Sequence, residues 1–382
     1  MNGNIRYRLF FNDEPTSRKE LDQVEDITVE QEIDMAWEAR LKVPVCQDSQ
    51  GRWRNTNEHF VNNARRIRIE VAMGTNAFVP LIDGPVVKKV NQMRFEPGQS
   101  NITLVVRDDS DLLDRDVRDF NFEESDQEII RSLFEETETI AGTEVTIDDE
   151  VSSESNEATP FRYRGTPIAA LHCLVRRYGM HVNVLPGDNP GESQGCFRHF
   201  PGINDNTEGE PYLPEMVLFG DHANIRELNT DQSSTRPARY EATTLSIADK
   251  ERLASDTSFR DREVLGDRDA LPEGEEEATE LVDPAPCVPI DPERAASSRA
   301  ESSSYSFEAS GSIIEGCYPA VLLPYRLVIV RMGGTPKSGT YIIRQVTHIL
   351  TRSSYSQSFS LISNAESETS GRSTANAARG VF

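Results

Sequence analysis

The sequence lacks both the long apolar runs and the leader that direct a chain into or across a membrane. No window of its 382 residues approaches about 18 consecutive apolar residues, so no transmembrane helix is predicted. The first residues, MNGNIRYRLFF, show no charged start followed by an apolar stretch and a small-residue cleavage site. We therefore expect assembly in the cytoplasm without a signal peptide, or exit by a route that needs none.

Cysteine and positive charge are both scarce. The cysteines are odd in number and scattered, which predicts reduced thiols rather than a disulfide framework; they are Cys46, Cys173, Cys196, Cys287 and Cys317. Lys and Arg total 40 against 64 Asp and Glu, a net charge of −24. Such a charge argues against nonspecific binding to nucleic acid or to an anionic membrane. The length suits two or three compact units.

Signatures of catalysis are also missing. The chain has no phosphate-binding glycine loop and no G-x-S-x-G elbow. Asp221 and His222 lie in GDHAN, but abundant serines beside them do not define a triad. Glycoside hydrolysis needs two carboxylates that flank a cleft, and no pair stands out among the many acids. We expect no enzymatic activity, no catalytic residues, no cofactor and no metal.

Two segments nevertheless invite a metal hypothesis. His172 and Cys173, with Cys196 and His199, include a Cys-x-x-His spacing that zinc permits. However, adjacent residues on a helix point in different directions, and Cys173 lies near the predicted apolar face, where a thiol is usually a small hydrophobe. The sequence leaves open whether the four residues meet.

The segment RDDSDLLDRD is rich in acids: Asp108, Asp109, Asp111, Asp114 and Asp116. It lacks the glycine turn and the terminal glutamate of a calcium-binding EF-hand. Arginines alternate with the acids, so ion pairs and a solvated turn explain it more simply. The basic, aromatic segment FRYRGTP (161–167) could stack on nucleic-acid bases, but on an acidic chain a strand at a domain junction is the simpler interpretation.

Hydrophobic periodicity predicts a mainly β chain with an α/β insert. Alternation over 1–115 predicts an antiparallel meander of about six strands, as a curled sheet or barrel, in which Gln31 interrupts the apolar positions. The mixed helix and strand patterns over 116–212 predict a small α/β domain. Its helix signals are a capping box at Ser125 and, for the second helix, Thr166 as N-cap with Gly179 as terminator.

Strand patterns resume over 213–365, interrupted by an acidic, Pro- and Ser-rich insertion at 250–304. Few aromatic residues occur there, so the insertion is predicted to be extended, or a lid with short helices. The acidic segment at 147–160 is predicted to be a loop, and 366–382 a flexible tail. The fold class is thus two related β-domains that flank a small α/β domain.

The order of several short motifs carries a family resemblance. LIDGPVVKKV precedes a strand that runs into an R-D-x-S-x-L-L-D-R pattern, and S-D-x-E-I-I and L-x-R-R-x-G-M helices follow. Near the end, SGTYIIRQVTHIL matches an S-G-x-Y pattern that closes on Val346 and His348. Together these motifs resemble the late control protein D family, the baseplate hub of contractile phage tails, over about 1–250 and 310–365.

Three features depart from that family. Pro324-Tyr325-Arg326 stands where the family has Pro-Gly-Arg. Gly165-Thr166-Pro167 opens the second helix where the family tends to have an acidic and aromatic start. The insertion at 250–304 is longer than expected. These departures concern the second β-domain and the outer surface.

The resemblance implies a trimer in which two β-barrel-like domains per chain alternate around a pseudo-sixfold ring. That ring would join a sixfold inner tube to a threefold central spike, as in phage tails, type VI spike proteins and extracellular contractile injection systems. The implied partners are the tube protein, a separate spike protein and other baseplate components. Two alternatives stay open: a β-rich adhesin of a tail tip and a tail-associated cell-wall hydrolase.

A row of serines marks the last predicted strand. Within 354–362, Tyr355, Phe359 and Leu361 point one way, and a set of small side chains points the other: Ser354, Ser356, Ser358 and Ser360. Small uncharged side chains make a poor core but a flat surface. We expect this serine face to look toward the lumen of a ring or toward a neighbouring chain.

Overall fold

The computed structural model describes residues 5–47, 50, 53–54, 59–96, 98–147, 160–202, 212–233, 238–245, 250–261, 263–269, 278–282 and 292–366. The strands up to the α/β region are β1 (Ile5–Phe11), β2 (Glu14–Pro15), β3 (Asp26–Glu32), β4 (Glu38–Pro44), β5 (Cys46–Gln47), β6 (Trp53–Arg54), β7 (Arg66–Met73), β8 (Val79–Gln92), β9 (Asn101–Arg107), β10 (Arg118–Phe122), β11 (Ile140–Val145), β12 (Phe161–Gly165), β13 (His181–Pro186) and β14 (Ser193–Arg198).

The later strands are β15 (Leu213–Val217), β16 (Ile225–Gln232), β17 (Ala238–Leu245), β18 (Arg252–Ser258), β19 (Arg268–Asp269), β20 (Ala278–Leu281), β21 (Phe307–Ile313), β22 (Leu327–Arg331), β23 (Gly339–Thr351), β24 (Tyr355–Ser363) and β25 (Ala365–Glu366). The helices are α1 (Arg18–Leu21), α2 (His59–Asn63), α3 (Ser110–Leu113), α4 (Asp126–Glu135), α5 (Pro167–Tyr178) and α6 (Pro292–Ser304), and Phe259–Asp261 forms a 3₁₀ turn. None of these helices is long and apolar enough to span a membrane.

One long sheet joins the two ends of the chain. Its strands run in the order β16-β21-β24-β23-β3-β4-β9-β8-β7-β1-β2, and β22 and β15 extend it beside β23. The central pair is β3 with β23, antiparallel, in which Ile27 lies opposite Leu350 and Gln345 opposite Glu32. The two predicted β regions are therefore a single hydrogen-bonded layer.

The first region has the six long strands that the periodicity predicts, but they do not form a meander. β4 pairs with β9 rather than with the next long strand, β7. β8 is 14 residues long; its first half pairs with β7 and its second half with β9. No sheet of the described residues closes on itself, so the barrel-like shape stays a prediction. Alternation reveals which face of a strand is buried, not which strand lies beside it.

The inner face of the long sheet carries two hydrophobic clusters. One is built around Leu9, Ile69 and Leu104 of the first region. The other is built around Tyr318 and Val328 of the second region. Side chains of the last hairpin enter both clusters, because Leu350 and Tyr355 pack in the first and Val346 and Phe359 in the second. The last hairpin thus holds the two regions together by burial as well as by hydrogen bonds.

The α/β unit between these regions has its own core. α4 and α5 pack beside the small sheet β11-β14-β13, around Phe134, Leu171 and Phe197. The predicted helix signals are confirmed: Ser125 forms a capping box with Glu128, and Thr166 caps α5. Gly179 ends α5 in the left-handed conformation at φ 65°.

The acidic insertion is more ordered at its end than its composition predicts. α6 runs for 13 residues and buries small side chains against its neighbours, among them Ala296, Ala300 and Ser304. A Cβ added at Gly179 would lie 2.9 Å from the Cα of Ser298, so small residues allow the close contact with α5. Over 292–304 the structure therefore has a helix, as the alternative of a lid with short helices allowed, rather than an extended segment. Most of the predicted loop at 147–160 and tail at 366–382 lies outside the described residues.

Candidate assembly surfaces

The serine row lies on the outer face of the long sheet. Tyr355 and Phe359 are buried on the inner face, whereas Ser358, on the outer face, is exposed and Ser356 and Ser360 are partly exposed. Ser354 belongs instead to the hairpin turn, where its Oγ lies 2.7 Å from Oγ1 of Thr351. The alternation inferred from the sequence is thus present in β24, and the direction of the serine face relative to other chains stays a prediction.

Neighbouring strands widen the row into a patch of small polar side chains. Ser358 lies opposite Ser312 of β21 and Thr347 of β23, and Ser360 lies opposite Ser310. Ile349 lies opposite Ser356 and is an exposed large apolar side chain within the patch. Small side chains let another surface approach closely, and each hydroxyl needs a hydrogen-bond partner there to offset the cost of burying it. We call the set Ser310, Ser312, Thr347, Ser356, Ser358 and Ser360 the serine patch.

The same outer face becomes charged beyond β23. Arg40 Nη2 lies 2.7 Å from Glu38 Oε1, and Arg107 Nε lies 3.2 Å from Glu38 Oε2. Lys42 Nζ lies 3.0 Å from Glu25 Oε2, and this hydrogen bond raises the pKa of Lys42. These pairs are largely solvent-exposed, so each contributes about 1 kcal/mol or less to stability. On the other side of the patch, Glu227 of β16 lies opposite Ser312, so the serine patch is an uncharged strip between charged strands.

Large apolar side chains are exposed at both ends of the strands. The turn that joins β8 to β9 carries Met93 and Phe95, and the side chain of Phe95 is fully exposed at 101%. At the opposite end, the turn between β3 and β4 carries Met35, exposed by 61%, and the turn after β15 carries Phe219, exposed by 65%. Single exposed apolar side chains are common on protein surfaces, and only a contiguous patch of them marks a contact site.

A buried ionic cluster holds the α/β unit on the long sheet. Arg66 donates from Nε to Asp83 at 2.7 Å and from Nη1 to Asp109 at 2.7 Å. Arg68 donates from Nη1 to the carbonyl of Gly187 at 2.7 Å, in the loop between β13 and β14. Burial raises the pKa of Asp83, and the nearby Arg66 charge opposes that shift. Because nearly all these groups are excluded from water, breaking one pair would be costly.

The acidic segment that suggested a cation site is explained by internal contacts. Asp109 accepts from both Arg66 and Ser193, and Asp114 accepts from Thr166 Oγ1 at 2.8 Å. Asp111 pairs with Arg107 at 3.6 Å and with Arg115 at 3.1 Å. The predicted ion pairs are thus confirmed, whereas the predicted solvated turn is wrong for Asp108 and Asp109, which are buried at 2% and 0% exposure.

Asp108, in the same segment, is fully buried and accepts from the backbone N–H of Trp37 at 2.6 Å and of Ser110 at 3.0 Å. Burial raises the pKa of Asp108 to about 7. The carboxyl therefore fastens the turn after β9 to the start of β4.

The four residues of the zinc hypothesis are not brought together. Within the described ranges, no group of three or more His, Cys, Asp and Glu could hold a metal ion. His172 lines a cavity of about 310 Å³ between α5 and the β3–β4 turn, and burial lowers its pKa. Cys196 is buried on β14 with Sγ 3.9 Å from Glu144 Oε2. Cys173 is disulfide-bonded, so the prediction of a reduced thiol was wrong there; its partner lies outside the described residues.

The segment FRYRGTP forms β12 and the cap of α5. Arg162 donates to Asn121 at 3.0 Å on β10, and Arg164 lies 3.7 Å from Asp119. The interpretation as a strand is confirmed, and its position at a domain junction stays a prediction. Asp221 and His222 lie in an exposed turn after β15.

Sequence reasoning did not identify the junction around Tyr325. Tyr325 adopts φ 64°, in the left-handed region that bulky residues avoid at a cost of about 1–2 kcal/mol. It is buried at 4% exposure, and its Oη donates to Asn183 Oδ1 at 2.8 Å. The available signal was the replacement of glycine in Pro324-Tyr325-Arg326, because a glycine position often marks a positive φ.

Comparison with solved structures identifies the fold. No protein-family model and no curated protein matches the sequence. The structure is similar to the 43 kDa tail protein of prophage MuSo2 from Shewanella oneidensis, with TM-score 0.63 and 13% identity over 94% of this chain and 98% of that chain. It is also similar to a tail protein from Neisseria meningitidis, with TM-score 0.60 and 9% identity over 94% and 96% of the two chains. The chain has the fold of phage tail proteins.

A third similar structure extends this tail-protein fold to secretion systems. The Escherichia coli c3393 protein, described as a component of the type VI secretion system, has TM-score 0.50 and 10% identity, over 90% of this chain and 74% of that chain. The predicted resemblance to contractile tail and type VI components is thus confirmed for the fold. These solved structures are tail and secretion components rather than enzymes.

Proposed function

We propose that this protein is the structural baseplate hub of a contractile phage tail or contractile injection system, joining a sixfold inner tube to a threefold spike. The observation that carries the proposal is the pairing of β3 with β23, which makes one continuous sheet from the two ends of the chain. A ring component under mechanical load benefits from such a layer, because backbone hydrogen bonds run across the whole subunit. The agreement over almost the full length of two tail proteins supports the same role.

In this proposal the working unit is a homotrimer. The first and second β regions of each chain, 1–115 and 213–365, alternate around the ring, and the α/β domain at 116–212 lies between them in sequence. The serine patch supports a close contact, since its side chains are small and uncharged. Its residues Ser356, Ser358 and Ser360, with Ser354 at the turn, face the lumen or that neighbour.

The partners are the inner tube protein, a separate spike protein and other baseplate components. Exposed apolar turns at both ends of the strands, around Phe95 at one end and Met35 and Phe219 at the other, suit a component that is stacked between two others. The role is structural and needs no catalytic residue. Assembly takes place in the cytoplasm, and the final location is the baseplate.

Native mass spectrometry of the purified chain, alone and with the tube and spike proteins encoded beside it, tests the proposal. We expect a mass of three 42.8 kDa chains, and complexes that contain both partners. A chain that stays monomeric at micromolar concentration and binds neither partner would contradict the hub role. Electron microscopy of the complex would then show whether the serine patch faces the channel, a neighbour or bulk solvent.

A further inference from the structure

Three parts of the chain meet at one small junction. The β3–β4 turn contributes Asp34, β13 contributes His181 and Asn183, and the second β region contributes Tyr325. Asn183 Oδ1 accepts both the Tyr325 hydroxyl at 2.8 Å and the Asp34 N–H at 3.2 Å. Asp34 in turn accepts the Val182 N–H at 3.0 Å and contacts His181 Nδ1 at 2.6 Å. The α/β unit is therefore fastened to both β regions through a few polar atoms.

Aromatic contacts complete the junction on its other side. The Arg198 guanidinium lies 4.5 Å from the centroid of the Tyr325 ring, and the rings of His181 and Phe200 are 3.9 Å apart. Phe200 also lies 4.9 Å from Tyr305 of the second β region. Tyr325 is thus enclosed from the α/β side by an arginine, a histidine and a phenylalanine.

The closed junction leaves two buried groups without a partner. The positive φ of Tyr325, 64°, belongs to the turn before β22, where the Tyr325 N–H donates to the Ile343 carbonyl at 3.0 Å. Among the described residues, Asn183 Nδ2 and Arg198 Nε are buried without a hydrogen-bond partner. Opening the junction would let water reach both groups, which favours release of this contact.

The opposite attachment of the α/β unit is different in kind. There Arg68 donates to the carbonyls of Gly187, Asp188 and Asn189, and the Gly191 N–H donates to Asp83 Oδ2 at 3.0 Å. The Arg68 bonds, at 2.7 to 3.3 Å, have a charged donor, and charge-assisted hydrogen bonds are stronger than the neutral bond between Tyr325 and Asn183. The unit has its own hydrophobic core and α6 packs on α5 at Gly179 and Ser298, so the unit and α6 can move together as one body about this attachment.

We propose that Tyr325 is a releasable latch, and that the α/β unit swings about the Arg68 attachment when the latch opens. The closed structure is one of two states, and a partner that binds only one state selects it. Because the latch connects three parts of the chain, its opening changes the position of the α/β unit relative to the long sheet without unfolding either.

Hydrogen exchange on the full-length protein tests the latch. The N–H groups of Asp34 and Val182 bond across the junction, whereas Leu185, opposite Gln194, turns its N–H toward β14 within the α/β unit. In Tyr325→Phe, which loses only the hydroxyl bond, we expect faster exchange at Asp34 and Val182 by roughly tenfold and no change at Leu185. Tyr341→Phe is the matched control, since Tyr341 is also buried and donates to the Lys337 carbonyl at 2.7 Å.

Unchanged exchange at Asp34 and Val182 would overturn the latch. So would an equal rise at every amide, which reports global destabilisation. The wild-type protein gives an independent check. The amides of Asp34 and Val182 should exchange through a local opening that is much more frequent than global unfolding. If they exchange at the rate of global unfolding, the proposal is contradicted.

Spin labels measure the swing directly. Ser132 on α4 and Asn229 on β16 are exposed and lie on the two bodies. The exposed Cys46 and Cys317 are first replaced by serine. Double electron–electron resonance between labels at 132 and 229 should then show a second, longer distance, and the population at that distance should increase in Tyr325→Phe. A single unchanged distance in both proteins would exclude the movement.

Discussion

His348 Nε2 lies 3.1 Å from Oε1 of Gln31, which joins residues 317 positions apart in the chain. Gln31 also donates from Nε2 to the Leu81 carbonyl at 2.6 Å, and Tyr355 Oη lies 2.8 Å from His348 Nδ1. Since the Gln31 oxygen can only accept, the proton of the neutral imidazole belongs on Nε2 and Nδ1 accepts from the tyrosine. This buried series of hydrogen bonds crosses the seam, the line where β3 pairs with β23. It explains why a polar residue, Gln31, interrupts the apolar face of β3.

Acid should destabilise the protein through His348. Burial lowers its pKa from 6.5 to about 3, so the unfolded chain takes up a proton below pH 6.5 that the folded chain refuses. The contribution of neutral His348 to the free energy of unfolding is fully present above pH 6.5. It falls by about 1.4 kcal/mol for each pH unit as the pH decreases toward 3. We expect His348→Gln to lose this slope in urea unfolding between pH 7 and pH 4.5. The exposed His222→Gln should keep it, and an unaltered slope in His348→Gln would contradict the assignment.

Asp108 should show the opposite pH dependence. Its pKa is raised from 3.8 to about 7 by burial, so the folded chain binds the proton more tightly than the unfolded chain. Its contribution is full below pH 3.8 and is lost as the pH rises through 7. Asp108→Asn removes the titration, so its stability relative to wild type should improve by up to about 4 kcal/mol from pH 4 to pH 8. The exposed Asp116→Asn serves as control; a constant difference across this range would refute the prediction.

Gly84 should tolerate no side chain. An added Cβ would lie 1.8 Å from the Arg107 carbonyl oxygen and 2.9 Å from the Asp108 Cα, where β8 passes from β7 to β9. We expect Gly84→Ala to lower the free energy of unfolding by about 3 kcal/mol or more. Gly142→Ala, at a strand position with nothing within 4 Å, should change it by about 0.5 kcal/mol or less. Similar effects of the two substitutions in denaturant titrations would argue against the close crossing.

A charge in the serine patch should disrupt assembly without unfolding the chain. Ser358 is exposed on the outer face, so Ser358→Arg should change stability by about 0.5 kcal/mol or less. If this face meets a neighbour, burying an unpaired guanidinium would weaken the trimer by roughly tenfold or more. Native mass spectrometry against a concentration series measures this, with Ser132→Arg on α4 as the control. A trimer that withstands Ser358→Arg would place the patch away from the subunit contact.

Some features followed from local sequence. The caps at Ser125 and Thr166, the stop at Gly179 and the alternating faces of β24 depend on residues within a few positions of one another, so short-range chemistry determines them. The internal pairing of the acids at 108–116 was also predictable, because arginines alternate with them. The serine row could be assigned to one face for the same reason, although its partner could not.

Other features depended on contacts between distant residues. Periodicity predicted the six strands of the first region. It could not predict that β4 lies beside β9 or that β3 lies beside β23. The sequence did not predict that α6 packs against the rest of the protein, because alanine and serine side chains bury little apolar area. They can pack here because Gly179 lets the two helices approach closely. Sequence alone determined the ends of the capped helices and the apolar face of each strand, because these depend on residues within a few positions of one another. Only the tertiary structure decided the shared sheet, the His348–Gln31 seam and the Tyr325 junction, because each exists only when residues far apart in sequence exclude water together.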